Sequence, residues 1–186
     1  MAYAKVFSAD LAGIVARTES RPGIRWGGPA DRHALIAAGT TEVWLDWATN
    51  HGAQFVVAED DGQLIGHVIY LTLEEVQQYE WLVVKVRAQQ DVFSIGEFVI
   101  PERRGRNLIA AMKGFASRHF CELGYRRNVS VVDASNDASI KAHIKVGGIP
   151  IEAVRRVRAG KLVLVFHGRT LGCVRWDSKR PYTLVL

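Results

Sequence analysis

The sequence is short of most things that staple a chain, carry it through a membrane or keep it unfolded. Cysteine occurs twice in 186 residues, at Cys121 and Cys173, with no CxxC and no Cys/His ligand spacing. Neither a disulfide framework nor a zinc site is indicated, and the expectation is a protein without metal. Proline occurs five times, no repeat or low-complexity tract is present, and 48% of the residues are hydrophobic against 23% charged, which excludes a disordered chain. No apolar run approaches the roughly 18 residues of a membrane span, and Met-Ala-Tyr-Ala-Lys lacks the apolar segment of a secretory signal. These absences read as a cytoplasmic protein with no membrane partner. GxSxG and HExxH are missing, as are the phosphate loops GxxxxGK[ST] and GxGxxG, and the six histidines show no paired ligand spacing.

What is present is an asymmetry of charge. Residues 1–90 hold 7 Lys and Arg against 11 Asp and Glu, whereas residues 91–186 hold 17 against 8. A basic half points to a polyanionic partner, and nucleic acid, an anionic membrane surface and a phosphorylated cofactor all meet that description. A chain of this length buries about 70% of its unfolded surface, so one domain with a real core is expected.

Periodicity orders the elements. Residues 3–7 read as a strand, and residues 10–18 as a helix that Asp10 can cap. Residues 21–29 are rich in turn formers, and residues 41–50 read as a helix in which Trp44 and Trp47 pack into the core. Two apolar runs, residues 55–58 and 64–71, flank Asp61-Gly62, a strong hairpin signal. Residues 73–90 fit helix or strand. Residues 92–100 read as a buried strand ended by Pro101, and Leu108, Met112, Phe115, His119 and Leu123 recur at helical spacing with Arg106, Lys113, Ser117 and Glu122 on other faces. Gly124 ends that helix. A strand follows at 127–133, then a short helix from Asn136 to Val146, capped by Ser135 or Asn136 and stopped by Gly147-Gly148. A closing hairpin runs through Ala159-Gly160. The order describes an α/β (α+β) domain with a mixed sheet.

The loop at residues 102–107 is the most informative place. A glycine among basic residues, where a strand hands over to a helix, presents unpaired backbone N–H groups at the positive end of the helix dipole, which suits phosphate. Arg103, Arg104 and Arg106 add charge. The alternative is a solvated basic turn.

Val99-Ile-Pro-Glu-Arg-Arg-Gly-Arg-Asn-Leu-Ile109 resembles the acyl-CoA-binding segment of the GNAT superfamily of N-acetyltransferases, with its [RQ]-x-x-G-x-[GA] loop. Asn136-Asp-Ala-Ser-Ile-Lys-Ala-His-Ile-Lys-Val-Gly147 resembles that superfamily's later N-x-x-[SA]-x-x-x-[YH]-x-x-x-G segment. Both stand in the family's order, separated by the expected strand. Three positions depart: Glu102 replaces Arg or Gln, Asn107 replaces Gly or Ala, and Gly148 replaces an aromatic residue. Asn tolerates left-handed backbone angles better than most residues, so the loop can keep its shape.

The resemblance implies a mostly antiparallel sheet flanked by helices, with a splayed strand pair forming an acyl-CoA cleft. It implies one domain over residues 1–186, with an acceptor side at 1–53, a cofactor-binding core at 54–167 and a C-terminal extension at 168–186. The implied activity is acyl transfer from acetyl-CoA or another acyl-CoA to a primary amine. The cofactor would lie against the backbone of Phe98, Val99 and Ile100, against Arg103, Arg104, Gly105, Arg106, Asn107 and Leu108, and against Asn136 and Ser139.

Glu97 is the candidate base. Strand alternation puts it among apolar neighbours that raise a carboxyl pKa toward neutrality, and the alternative is a glutamate paired with an arginine. His143 is the candidate acid for the thiolate, at the family's Tyr position and about 10 Å along the helix from Asn136; the alternative is a buried, hydrogen-bonded histidine. Two further readings stay open: a module that keeps the fold without catalysis, and nucleic-acid binding through Arg155, Arg156, Arg158, Arg169, Arg175, Lys179 and Arg180. The second ranks lower, because such runs are usually solvated strand faces. The acidic first half favours a cationic amine, aminosugar or lysine acceptor, and a homodimer is the expected assembly.

Overall fold

Alternating apolar runs and turn signals give a computed structural model dominated by one large sheet, described for residues 2–79, 81–159, 162–168, 170–175 and 181–186. The first strand, β1 (Ala2–Asp10), is followed by α1 (Leu11–Arg17), where the Asp10 carboxylate accepts from Gly13 N–H as the cap. Then come β2 (Ile24–Trp26), α2 (Arg32–Ala37) and α3 (Glu42–Asn50), the last capped by Thr41. The hairpin of β3 (Gln54–Asp60) and β4 (Gln63–Leu71) turns at Asp61-Gly62, both with positive φ. β5 (Glu75–Tyr79) and β6 (Leu82–Lys85) precede β7 (Asp91–Val99), α4 (Leu108–Glu122), β8 (Arg127–Asp133) and α5 (Asp137–Lys145). The chain closes with β9 (Ile149–Ala159), β10 (Leu162–His167), β11 (Thr170–Arg175) and β12 (Tyr182–Val185).

Among the described residues the large sheet has nine strands in the order β11-β10-β9-β1-β8-β7-β4-β3-β2, and a second has three, β12-β6-β5. Every pairing in the large sheet is antiparallel except β7 with β8. That parallel pair is short. β7 meets β8 only from Asp91–Ser94 against Arg127–Ser130, after which the two strands part. The closed end is pinned by a bidentate ion pair, Arg127 Nε and Nη2 on the two oxygens of buried Asp91 at 2.7 and 2.6 Å.

The ambiguous stretch 73–90 resolves as strands, because Val76, Leu82 and Val84 alternate into a core with Leu71, Phe93 and Leu184. β2 lies within residues 21–29, where glycine and proline punctuation pointed to a loop, and α2 lies between that stretch and the helix expected at 41–50. Trp44 and Trp47 are only half-buried; Leu45 and Ala48 are the residues of α3 in the core. In α4, Lys113 and Ser117 are buried rather than outward, and Leu123 is 56% exposed rather than packed. The helix is covered on two sides, by the sheet and by α1. The turn at Gly160, together with Arg169, Lys179, Arg180 and the side chains of Arg158 and Arg175, lies outside the described residues. Arg155 and Arg156 lie over the rings of Tyr3 and Trp81.

Close approach of α1 and α4 depends on Gly114. A Cβ placed there would overlap Thr18 Oγ1 and stand 2.6 Å from Thr18 Cβ. Gly114→Ala gains about 1 kcal/mol of helix propensity yet is expected to destabilise by a net 1–3 kcal/mol, roughly, from overpacking. Urea unfolding checks this, and Thr18→Gly in the same chain is expected to restore most of the loss.

Candidate active site

The parting of β7 from β8 opens a cavity of about 590 Å³. Its walls are the end of β7 (Glu97, Phe98, Val99), the loop and first turn of α4 (Arg103, Arg104, Gly105, Asn107 to Ala110), and one side of α5 (Asn136, Ser139, Lys141, Lys145). Ladder geometry fixes which amide of β7 faces it. Ile100 N–H donates to Ile65 O at 3.0 Å, so the opposed pair Val99 and Gly66 is the non-hydrogen-bonded kind, and Val99 turns its own N–H and C=O away from β4 into the gap. The Val99 carbonyl takes a hydrogen bond from Arg104 Nε at 3.1 Å.

The loop after β7 leaves its amides bare. A short 3-10 turn, Pro101–Arg103, uses the N–H groups of Arg103 and Arg104, but those of Gly105 through Ala110 have no protein acceptor among the described residues. Asn107 is the N-cap of α4 at φ 59°, the left-handed conformation its side chain tolerates, and Gly105 has φ 76°. The Asn107 side chain does not fold over these amides. Its Oδ1 accepts instead from Lys145 Nζ at 2.6 Å, tying the loop to α5. Six unpaired N–H groups at a helix N-terminus, with Arg104, Lys141 and Lys145 around them, can hold a diphosphate.

Of the other expected contacts, the Ile100 N–H is already donated to Ile65, Arg106 is exposed and off the cavity wall, and Arg103 lines the cavity while paired with Asp60 at 2.8 Å. Glu102 sits on the exposed side of the 3-10 turn, so its departure from the family pattern lies off the cavity. Gly148 also has a local reason. Its N–H donates to His143 O at 2.8 Å, and a Cβ would stand 2.7 Å from that oxygen.

Glu97 and His143 meet at the fork, together with a residue the helical periodicity misplaced. Lys113 is 1% exposed, and its Nζ lies 2.6 Å from Glu97 Oε1, 3.2 Å from Ser94 Oγ and 3.2 Å from His143 Nε2. Burial alone would raise the Glu97 carboxyl, but the Lys113 and His143 charges and hydrogen bonds outweigh it and hold it well below the usual carboxylate range. The expectation of a raised pKa is therefore reversed, and the partner is a lysine, not an arginine. Glu97 Oε1 also accepts from Ser94 Oγ at 3.4 Å, so Ser94, Lys113 and His143 all meet this one oxygen. His143 Nδ1 lies 2.8 Å from Ser139 O, and a carbonyl only accepts, so Nδ1 carries a proton. Nε2 accepts from Lys113 when bare and donates to Glu97, 3.2 Å away, when protonated. The ring packs on Phe7 behind Ser139 and does not line the cavity.

Glu97 and Phe98 also border a second cavity, about 450 Å³, on the other side of β7. Its lining includes Gly39 to Thr41, Trp44, His67, Ile69, Gln78 and Ile95. No short-range pattern marked Lys113, because its partners lie on β7, β8 and α5. No pattern marked His67 or Gln78.

Removing one member of the fork isolates the effect of the buried charge. Lys113→Met strands the Glu97 carboxylate and is expected to cost about 3–5 kcal/mol in urea unfolding, whereas Lys113→Met with Glu97→Leu is expected to recover most of it.

No curated protein matches the chain in sequence. Among solved structures it is similar to an acetyltransferase of the GNAT family from Novosphingobium aromaticivorans (21% identity, 81% of this chain and 62% of that one, TM-score 0.61). It is also similar to an aminoglycoside N-acetyltransferase solved with CoA (19% identity, 73% and 96%, TM-score 0.56). A third is a conserved protein of unknown function from Staphylococcus epidermidis (10% identity, 82% and 59%, TM-score 0.59). The chain thus spans 62% and 59% of the length of the first and third. At these identities the likeness concerns the fold. No helix among the described residues is long and apolar enough to cross a membrane. The model of the acetyltransferase (GNAT) family matches residues 25–147, more than half of the sequence and the part that builds the bare amides, the fork and both cavities, and the chain belongs to that family.

Proposed function

We propose that the protein is an acyl-CoA-dependent N-acyltransferase that acetylates a primary amine by direct attack. The observation that carries this is the unpaired run of amides from Gly105 to Ala110, opening onto the same cavity as the Val99 N–H. A CoA diphosphate would lie on the loop amides with Arg104, Lys141 and Lys145 near it. The Val99 N–H, aimed into the gap, would polarise the thioester carbonyl and receive the oxyanion of the tetrahedral intermediate.

Acceptor and donor would meet at Glu97, which borders both cavities. A carboxylate held this low is a weak base, so Glu97 Oε2 orients the amine through a hydrogen bond, and the ammonium proton is lost to water before attack. The neutral nitrogen then bonds to the acyl carbon and loses its excess proton to water, the C–S bond breaks, and the leaving thiolate takes a proton. Ser139 would be the donor with His143 as the group behind it, a reading supported by Ser139 lining the donor cavity with its Oγ 3.4 Å from His143 Nδ1. Asn136 accepts from Ser139 N–H at 3.1 Å and fixes that turn.

Calorimetry with acetyl-CoA is expected to give one site per chain, and Arg104→Glu to weaken it by about tenfold or more while the melting temperature holds. Absence of heat at millimolar acetyl-CoA removes the donor assignment.

The pH dependence separates an orienting carboxylate from a proton-accepting one. kcat/KM for the amine is expected to rise about tenfold per pH unit from 6 to 8, following the free-amine fraction of a group with pKa near 10. A plateau starting near pH 7 would instead identify a base of near-neutral pKa on the protein.

A further inference from the structure

The acidic first half of the chain was the sequence's pointer to a cationic acceptor, but seven of its carboxylates are engaged in ion pairs elsewhere. Asp31 and Glu59 hold Arg25, each at 2.8 Å, and Glu42 and Asp46 hold Arg32 at 3.0 and 2.7 Å. Asp60 holds Arg103, and Glu74 and Glu75 hold Lys85. None of these lines the second cavity. Among the described residues the one carboxylate there is Glu97, whose Oε1 already faces the Lys113 ammonium at 2.6 Å, so the pair brings almost no net charge to the site.

The rest of the lining is aromatic, aliphatic or neutral. His67 is 2% exposed and stacked on Phe98 with ring centroids 5.6 Å apart. Burial pushes its imidazole down to about 4, so the ring is neutral at physiological pH. Trp44, Ile69 and Ile95 supply apolar surface. Two residues that line this space each carry a buried polar atom with no partner among the described residues, His67 Nδ1 and Gln78 Oε1. An orphaned buried polar atom beside a cavity of ligand size is a group awaiting a ligand's hydrogen bond.

We propose that this second cavity takes a primary monoamine carried on a flat aromatic body with one hydroxyl group, and that it discriminates against polycationic amines. The assignment rests on the reading of the protein as an amine acetyltransferase and goes further by naming the acceptor's class. The aromatic body stacks against Trp44 and Phe98, while the hydroxyl donates to Gln78 Oε1 or accepts from His67 Nδ1–H, whichever tautomer the ring holds. The single amine reaches Glu97 Oε2 at the border with the donor cavity. A polyamine or aminoglycoside would bring several ammonium groups into a site with one carboxylate, already paired, and each remaining charge would be desolvated without compensation.

The test uses the full chain and four probes: tyramine, phenethylamine, spermidine and kanamycin. Amine binding is measured by calorimetry without donor and in the presence of CoA, and turnover by thiol release from acetyl-CoA. Binding of acetyl-CoA alone reports on the donor reading, so an amine result stands whether or not the donor binds. Tyramine is expected to bind more tightly than phenethylamine, and both more tightly than spermidine or kanamycin, by about tenfold or more. In Gln78→Leu the advantage of tyramine over phenethylamine is expected to shrink by about the tenfold that one buried hydrogen bond supplies. Gln78→Glu adds a carboxylate and is expected to raise spermidine binding by about tenfold; it keeps the question answerable if Gln78→Leu does not fold. Tighter binding or faster turnover of spermidine or kanamycin, an unchanged tyramine preference in Gln78→Leu, or no binding of either arylalkylamine overturns the proposal.

Discussion

One ammonium group holds the interior of this protein in its working arrangement. Lys113 reaches the point where β7 and β8 part and joins residues from four elements: Ser94 and Glu97 of β7, Asn128 of β8 and His143 of α5, with itself from α4. Splayed strands leave a wedge that apolar side chains fill poorly, because the parting backbone exposes unpaired N–H and C=O groups along its edges. A polar cluster at the apex solves this locally. Asn128 also donates to Val92 O at 3.3 Å, so the apex is bonded to strand backbone as well as to side chains. Such a cluster stabilises only if every member finds a partner, and here the lysine has four. The Asp91–Arg127 pair closes the strands, and Lys113 props them apart only a few residues later.

The parts of this arrangement that were legible in the sequence are those encoded by short-range pattern. Asp61-Gly62 marks its hairpin because only residues tolerant of positive φ fit the turn, and Asp10, Thr41 and Asn136 mark helix starts because each supplies a capping oxygen. The bare loop before α4 followed from Gly105 and its place between strand and helix. Elements too short to show a period were not legible, which accounts for β2 and α2. β12 was hidden for another reason: its partner β6 lies almost a hundred residues upstream, and no local pattern encodes that parallel pairing.

At the site the misreadings share one cause. Alternation along β7 says that Glu97 has apolar neighbours on its own strand, but the charge that decides its protonation comes from a different element across the core. Helical spacing likewise put Lys113 off the apolar face of α4, whereas its long side chain reaches a polar apex formed by β7, β8 and α5. A pKa is a property of three-dimensional surroundings, and a single strand's pattern samples only a fraction of them. The departures at Asn107 and Gly148 show the converse. Each looked like a defect when set against a family pattern, and each has a structural counterpart here: a left-handed cap with its oxygen on Lys145, and a glycine whose missing Cβ leaves room for the His143 carbonyl.

The division of labour within Glu97 follows from these surroundings. With Oε1 facing Lys113, His143 and Ser94, the side chain cannot swing without leaving a buried ammonium unpaired, so its position is fixed by a constraint unrelated to substrate. On the proposed reading, Oε2 is then the acceptor that meets the amine where Glu97 borders both cavities. A fixed acceptor lowers the entropic cost of orienting an incoming nitrogen, and it does so without being a good base. Burial alone would make the carboxylate a better proton acceptor; the Lys113 and His143 charges reverse that and also fix its position, so on the proposed reading Glu97 contributes positioning rather than proton transfer.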